Sequence, residues 1–207
     1  MKNIPALDPK VLDLVTEISK EPKVEAAMAF IKDQTEVAMQ EQIELCEIEA
    51  PTFHEEKRAA SVAERMKQYG LTDVHIDEIG NVIGIRKGTG SGPVLAIGAH
   101  MDSVFPAGTD VKVKKEGNIY RAPGIGDNCS GLRALLQVLR AMEKEDIRTV
   151  GDIWVVGTVG EEGNGDIRGS KHLCANNKLD GFVAIDSTDV GTSQDSSSIS
   201  WPAPHSR

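Results

Sequence analysis

"IWVVGTVGEEGNGDIRGSKHLCANN", residues 153–177, decides how the chain is built. It opens on a near-continuous apolar run, Ile153-Trp154-Val155-Val156, of the kind that a sheet covered on both faces requires. A glycine-spaced loop with two adjacent glutamates, Glu161 and Glu162, follows, and "RGSKHLCANN" then reads as a short helix. Neighbouring carboxylates at the end of an apolar strand repel one another and lose hydration. Either both face water, or one is a base and the other a metal ligand.

The same strand-then-helix rhythm recurs around this stretch. "PVLAIGAH" (93–100) and "DGFVAID" (180–186) read as two further strands, the first of them central. "SGLRALLQVLRAMEKE" (130–145) is an amphipathic helix with Leu132, Leu135, Leu136 and Leu139 inward. "DVHIDEIG" and "NVIGIRKG" (73–88) read as short alternating strands. Upstream, residues 8–47 keep helical spacing with a break near Pro22. A helix follows in "APTFHEEKRAASVAERMKQYGL" (50–71), with Thr52 and Glu55 at capping-box spacing, Ala60, Val62, Ala63 and Met66 as its buried face, and Gly70 at its end. Strands alternating with helices predict an α/β fold, a mixed, largely parallel sheet flanked by helices in three layers. Residues 1–190 read as one domain, and the Ser/Pro/Gly-rich stretch 191–207 as a disordered or non-native tail.

With 32 acidic against 23 basic side chains, the net charge of -9 argues against nucleic acid as a partner. Three widely spaced cysteines make neither a disulfide framework nor a zinc-finger pattern. No apolar stretch approaches the ~20 residues of a membrane span, and no leader pattern opens the chain, so a cytoplasmic, membrane-free protein is expected.

Ligands of open α/β sheets collect beyond the carboxyl ends of the strands. Three strand ends here carry metal-competent groups: His100 and Asp102, Glu161 and Glu162, and Asp186. Asp127 adds a fourth position, in a glycine-flanked loop just ahead of the leucine-rich helix. One imidazole with several carboxylates suits Zn²⁺, Mn²⁺ or Co²⁺, and one or two such ions would relieve the repulsion among the acids. His54, His75 and His172 read as structural or surface residues, Cys129 as a small buried thiol, Ser130 as a helix cap and "KVKKEGN" (112–118) as a solvated charge run.

The three segments "GAHMDSV", "GIGDNCSG" and "GTVGEEGNGDIRGS", in this order and separation, resemble the M20-type zinc metallopeptidases, a family of aminotripeptidases, dipeptidases, aminoacylases and glutamate-releasing carboxypeptidases. The resemblance covers roughly residues 40–190. It implies a zinc-exopeptidase-like αβα domain with two Zn²⁺ ions, Co²⁺ or Mn²⁺ being possible substitutes. It makes His100 and Asp186 ligands of the first metal, Asp127 the bridge and Glu162 a ligand of the second. It makes Glu161 the general base and sets Asp102 behind His100 to orient the imidazole. Aspartate at position 186 points within the family to peptidases, with N-acyl amino acid deacylases as the alternative. The family's further metal-binding histidine and its lid and dimerisation domain, through which members form homodimers, have no match here. The resemblance therefore predicts the N-terminal part of a truncated catalytic domain: a peptide hydrolase, an inactive metal-binding fragment, or an enzyme completed by another polypeptide.

Overall fold

The computed structural model describes residues 8–187; the stretch 191–207 read above as a tail lies outside them. Helices α1 (Pro9–Ser19), α2 (Pro22–Asp33), α3 (Thr35–Cys46) and α4 (Glu56–Gln68) come first, followed by strands β1 (Thr72–Ile76), β2 (Val82–Arg86) and β3 (Leu95–His100). A small hairpin, β4 (Lys114–Glu116) and β5 (Ile119–Arg121), precedes α5 (Cys129–Lys144), β6 (Ile153–Thr158), α6 (Arg168–Asn176) and β7 (Gly181–Ala184). The large sheet has the order β1-β2-β6-β3-β7.

β6 decides this arrangement. Its alternate side chains enter two separate cores, Val155 with the cluster of Leu45, Val62, Met66, Leu132 and Leu136, and Val156 with Ile83, Ala96, Leu173 and Phe182. α3, α4 and α5 thus cover one face of the sheet and α6 the other, which is the expected three-layer α/β fold. The pairing is evenly mixed rather than mostly parallel: β3 runs parallel to β6 and β7, whereas β2 is antiparallel to both β1 and β6.

The leucine stripe of α5 is fully inward, with Leu132 and Leu136 at 0% exposure. Leu136→Ala should lower the unfolding free energy by about 2–5 kcal/mol, because neighbours so tightly packed close little of the cavity left behind. Urea unfolding of the variant checks this, and a loss below about 1 kcal/mol would contradict the packing described.

The region 8–47 is helical and breaks near Pro22 as expected, and it breaks again at Gln34; α1 leaves Leu12, Val15 and Ile18 49–59% exposed. Other sequence expectations are corrected. In α4 the expected Val62, Ala63 and Met66 do face inward, but the fourth inward residue is Ala59 and not Ala60, which is exposed. β2 does not alternate; it lies inside the sheet and is buried on both faces. The capping box at Thr52 and Glu55 does not form, since α4 has no side-chain cap. Asn128 rather than Ser130 caps α5, accepting from Gly131 N–H at 3.0 Å.

Candidate metal and catalytic site

Because β3, β6 and β7 are mutually parallel, their carboxyl ends open on one edge of the sheet. His100 ends β3 opposite Thr158 of β6, and Ile185 N–H donates to Gly98 O just past β7. The chain segments that follow these strands must therefore emerge side by side. The loop ahead of α5 brings in Asp127, whose peptide bond to Asn128 is cis, and Asn128 Nδ2 ties this loop to Ile185 O at 2.9 Å.

His100 is the centre of the cluster, with only 3% of its surface exposed. Its Nε2 lies 3.0 Å from Asp127 Oδ1, 3.7 Å from Asp186 Oδ1 and 4.0 Å from Glu161 Oε2. Ligand atoms of His100, Asp127 and Glu162 all fall within 4.8 Å of one another. On the far side of the ring, Nδ1 is 3.1 Å from Asp102 O and 3.4 Å from Asp102 Oδ1. The structure thus gathers all six residues singled out in the sequence around one imidazole.

The donor set fits a divalent transition metal. With Nδ1–H directed at Asp102, the Nε2 lone pair faces the carboxylates, the arrangement that fixes a ligating histidine's tautomer. Without a cation, the acids load the imidazole with a proton. Burial pushes the His100 pKa down, but hydrogen bonds to Asp102 and Asp186 and their charges overcome this and hold it well above the usual imidazole range. Burial raises the pKa of Glu161, and the charges of Asp186, Asp102 and Asp127 raise it further against the opposing pull of His100. Burial likewise raises Glu162, with Asp127 adding to the effect.

Asp102 does more than orient the histidine. Its buried carboxylate receives Glu161 N–H at 2.9 Å and Glu162 N–H at 3.1 Å, together with the Thr52 hydroxyl at 2.9 Å. Thr52 reaches it because residues 50–51 run beside Ser103, with Ser103 N–H donating to Ala50 O. Arg58, 1% exposed, locks the same junction by donating to Met101 O at 2.7 Å and Ile48 O at 2.6 Å. Sequence reasoning assigned neither Thr52 nor Arg58 to the site. The available signal was an arginine in register with the apolar face of α4.

A second group of potential ligands, Asp77, Glu78 and His172, stands at the β1–β2 turn and α6. Asp77 Oδ1 already accepts the N–H groups of Ile79, Gly80 and Asn81, and its Oδ2 accepts the Asn81 amide, so its oxygens are spent on the turn. His172 bonds Glu78 at 3.0 Å and belongs to this surface, apart from the cluster around His100.

The comparisons with known proteins point the same way. The model of "Peptidase family M20/M25/M40" matches residues 96–198, a span that holds His100, Asp102, Asp127, Glu161, Glu162 and Asp186. Over these residues the chain matches peptidase family M20. A candidate LysW-lysine/LysW-ornithine hydrolase of Pyrococcus abyssi is 34% identical over 120 residues, 58% of this chain and 32% of the relative. Among solved structures, a tripeptidase of Staphylococcus aureus aligns with TM-score 0.61 and 30% identity over 73% of this chain and 43% of its own. The aminopeptidase PepT of Bacillus cereus shares the fold with TM-score 0.64 at 24% identity, over 74% of this chain and 44% of its own. The chain thus spans about a third of that curated relative and less than half of these structures.

Proposed function

We propose that this chain carries the metal-binding and proton-transfer part of a hydrolase that cleaves the amide bond of short peptides. The observation that carries this reading is the convergence of His100, Asp127, Glu161, Glu162 and Asp186 at three parallel strand ends and one helix start, with Asp102 behind the histidine. In this reading His100, Asp127 and Asp186 hold one divalent ion, zinc foremost, and Asp127 and Glu162 hold a second. Bound there, such ions supply Lewis-acid polarisation of the scissile carbonyl and lower the pKa of water. Glu161 is left to take the proton from the attacking water and return it to the leaving amine, a role that its raised pKa serves. Asp102 keeps the imidazole in the ligating tautomer and pins the glutamate loop.

The tripeptidase relative, at 30% identity, and aspartate at position 186 both favour peptides over N-acyl amino acids. No helix among the described residues is long and apolar enough to cross a membrane, which accords with a cytoplasmic peptidase.

Metal titration followed by elemental analysis tests the site. The chain should take up about two Zn²⁺ or Co²⁺ ions, and His100→Ala should lose the tighter one. A chain that binds neither metal, or a His100→Ala variant that binds like wild type, would sink the proposal. A panel of tripeptides, dipeptides and N-acetyl amino acids then separates peptidase from deacylase, with tripeptides expected to be cleaved fastest.

A further inference from the structure

The loop that carries Glu161 and Glu162 is gripped from below by a second carboxylate unconnected with the metal cluster. Glu55, 3% exposed, accepts Gly160 N–H at 2.9 Å through Oε1. Three successive peptide N–H groups, at residues 160, 161 and 162, thus end on carboxylates brought from elsewhere in the chain, Glu55 for the first and Asp102 for the next two. Two buried anions beneath a pair of glutamates would drive the loop outward unless a cation stood among them.

Arg168 supplies that cation. Its Nη2 lies 3.3 Å from both oxygens of Glu55, its Nη1 donates to Ile79 O at 2.9 Å, and its guanidinium stands 5.2 Å from the Phe53 ring centre. Its backbone N–H donates to Gly160 O at 3.0 Å, so the two polar groups of residue 160 are held by the Glu55 carboxylate and the Arg168 main chain. The aliphatic part of Arg168 lies over the Gly160 Cα, where a Cβ would run into it, and Gly160 has φ +59°. Glycine at 160 is therefore required by the clamp as well as by the turn. Past it, Ile167 and Gly165 N–H close on the carbonyls of Glu161 and Glu162 at 3.3 and 2.8 Å.

We propose that Glu55 and Arg168 are positioning residues, a half-buried ion pair that holds the Gly160 peptide and so sets where the Glu161 and Glu162 carboxylates stand. The inference rests on the reading of those two glutamates as base and metal ligand. The pair itself touches neither substrate nor metal in that reading; it acts through the loop.

Amide hydrogen exchange of the metal-free 207-residue chain, read by mass spectrometry and paired with Co²⁺ titration, tests this. Glu55→Ala and Arg168→Leu should speed exchange in residues 158–164 by about tenfold, the change that losing one charge-assisted hydrogen bond brings. They should weaken Co²⁺ binding by about tenfold or more, while residues 132–141 keep their protection. Glu55→Gln keeps an acceptor for Gly160 N–H but loses the charge, and should fall between these variants and wild type. It also decides the matter if the other two do not fold: a rise confined to 158–164 supports the clamp. No change there, or a rise spread evenly over the chain as in Leu136→Ala, would overturn it and leave the pair a general contributor to stability. If wild type takes up no Co²⁺, the metal reading fails by itself, and the exchange pattern still decides whether the clamp exists.

Discussion

Asp102→Ala should remove about 3–5 kcal/mol of folding stability from the metal-free protein, the range seen when one member of a buried charged network is deleted. Asp102 is fully buried, and its two oxygens serve Thr52 Oγ1, the Glu161 and Glu162 N–H groups and the His100 ring. Alanine takes the carboxylate acceptor from Thr52 Oγ1 and from the Glu161 and Glu162 N–H groups, while His100 Nδ1 keeps only the Asp102 backbone carbonyl at 3.1 Å. Asp102→Asn should cost less, since the amide oxygen still accepts on one side, while its NH₂ group meets a donor on the other. The pH dependence carries a matching signature. Burial pushes the Asp102 pKa up, but His100 and the two backbone N–H groups overcome this and hold it at about 2, below the ordinary 3.8. The folded pKa is depressed, so the stability this provides is fully present above about pH 4 and is lost as pH falls toward 2. Urea midpoints of wild type and Asp102→Asn, measured from pH 5 to pH 2, should converge at the acid end. Parallel curves, or an alanine variant that loses less than about 1 kcal/mol, would contradict this account of the network.

Glu161→Gln should lower hydrolysis of a tripeptide by about 10²–10⁴-fold and leave the bound metal in place, whereas Glu162→Gln should weaken metal binding first. The two side chains are neighbours in sequence and both approach His100, but Glu162 also comes into ligand range of Asp127. Glu161 Oε2 reaches to 4.0 Å from His100 Nε2, whereas Glu162 groups with His100 and Asp127 in ligand range. A glutamine at 161 preserves size and hydrogen bonding and removes only the capacity to accept a proton. Metal content by elemental analysis, read beside kcat, separates the two roles. Equal metal loss in both variants would refute the division between base and ligand, and an active Glu161→Gln enzyme would refute the base itself.

The metal-competent side chains were legible because each directly follows an apolar run that could only be a strand, or opens a helix with a clear leucine stripe. His100, Glu161, Glu162 and Asp186 needed only the rule that parallel strands end together. Thr52, Glu55, Arg58 and Arg168 were not legible as site residues, since their partners lie 43 to 113 residues away or, like Ile48, outside any local pattern. Thr52 and Glu55 misled for a physical reason. Threonine and glutamate three apart serve equally well to satisfy the N–H groups of their own helix or those of a loop brought to them by folding. In α4 only Ala60 was taken for the inward Ala59, because adjacent alanines offer no contrast between inward and outward positions.

By itself the sequence determined which side chains are competent for metal and proton chemistry, and that they stand at strand ends and one helix start of an α/β domain. Periodicity and charge are local properties, so they survive in the linear text. Only the tertiary structure decided that β6 lies between β2 and β3, which carries the glutamate loop over Asp102 and Glu55 and lets two buried carboxylates hold three consecutive peptide N–H groups. Backbone N–H groups are alike at every residue, and which acceptor takes them depends on strand order and register, which a single strand's sequence does not specify.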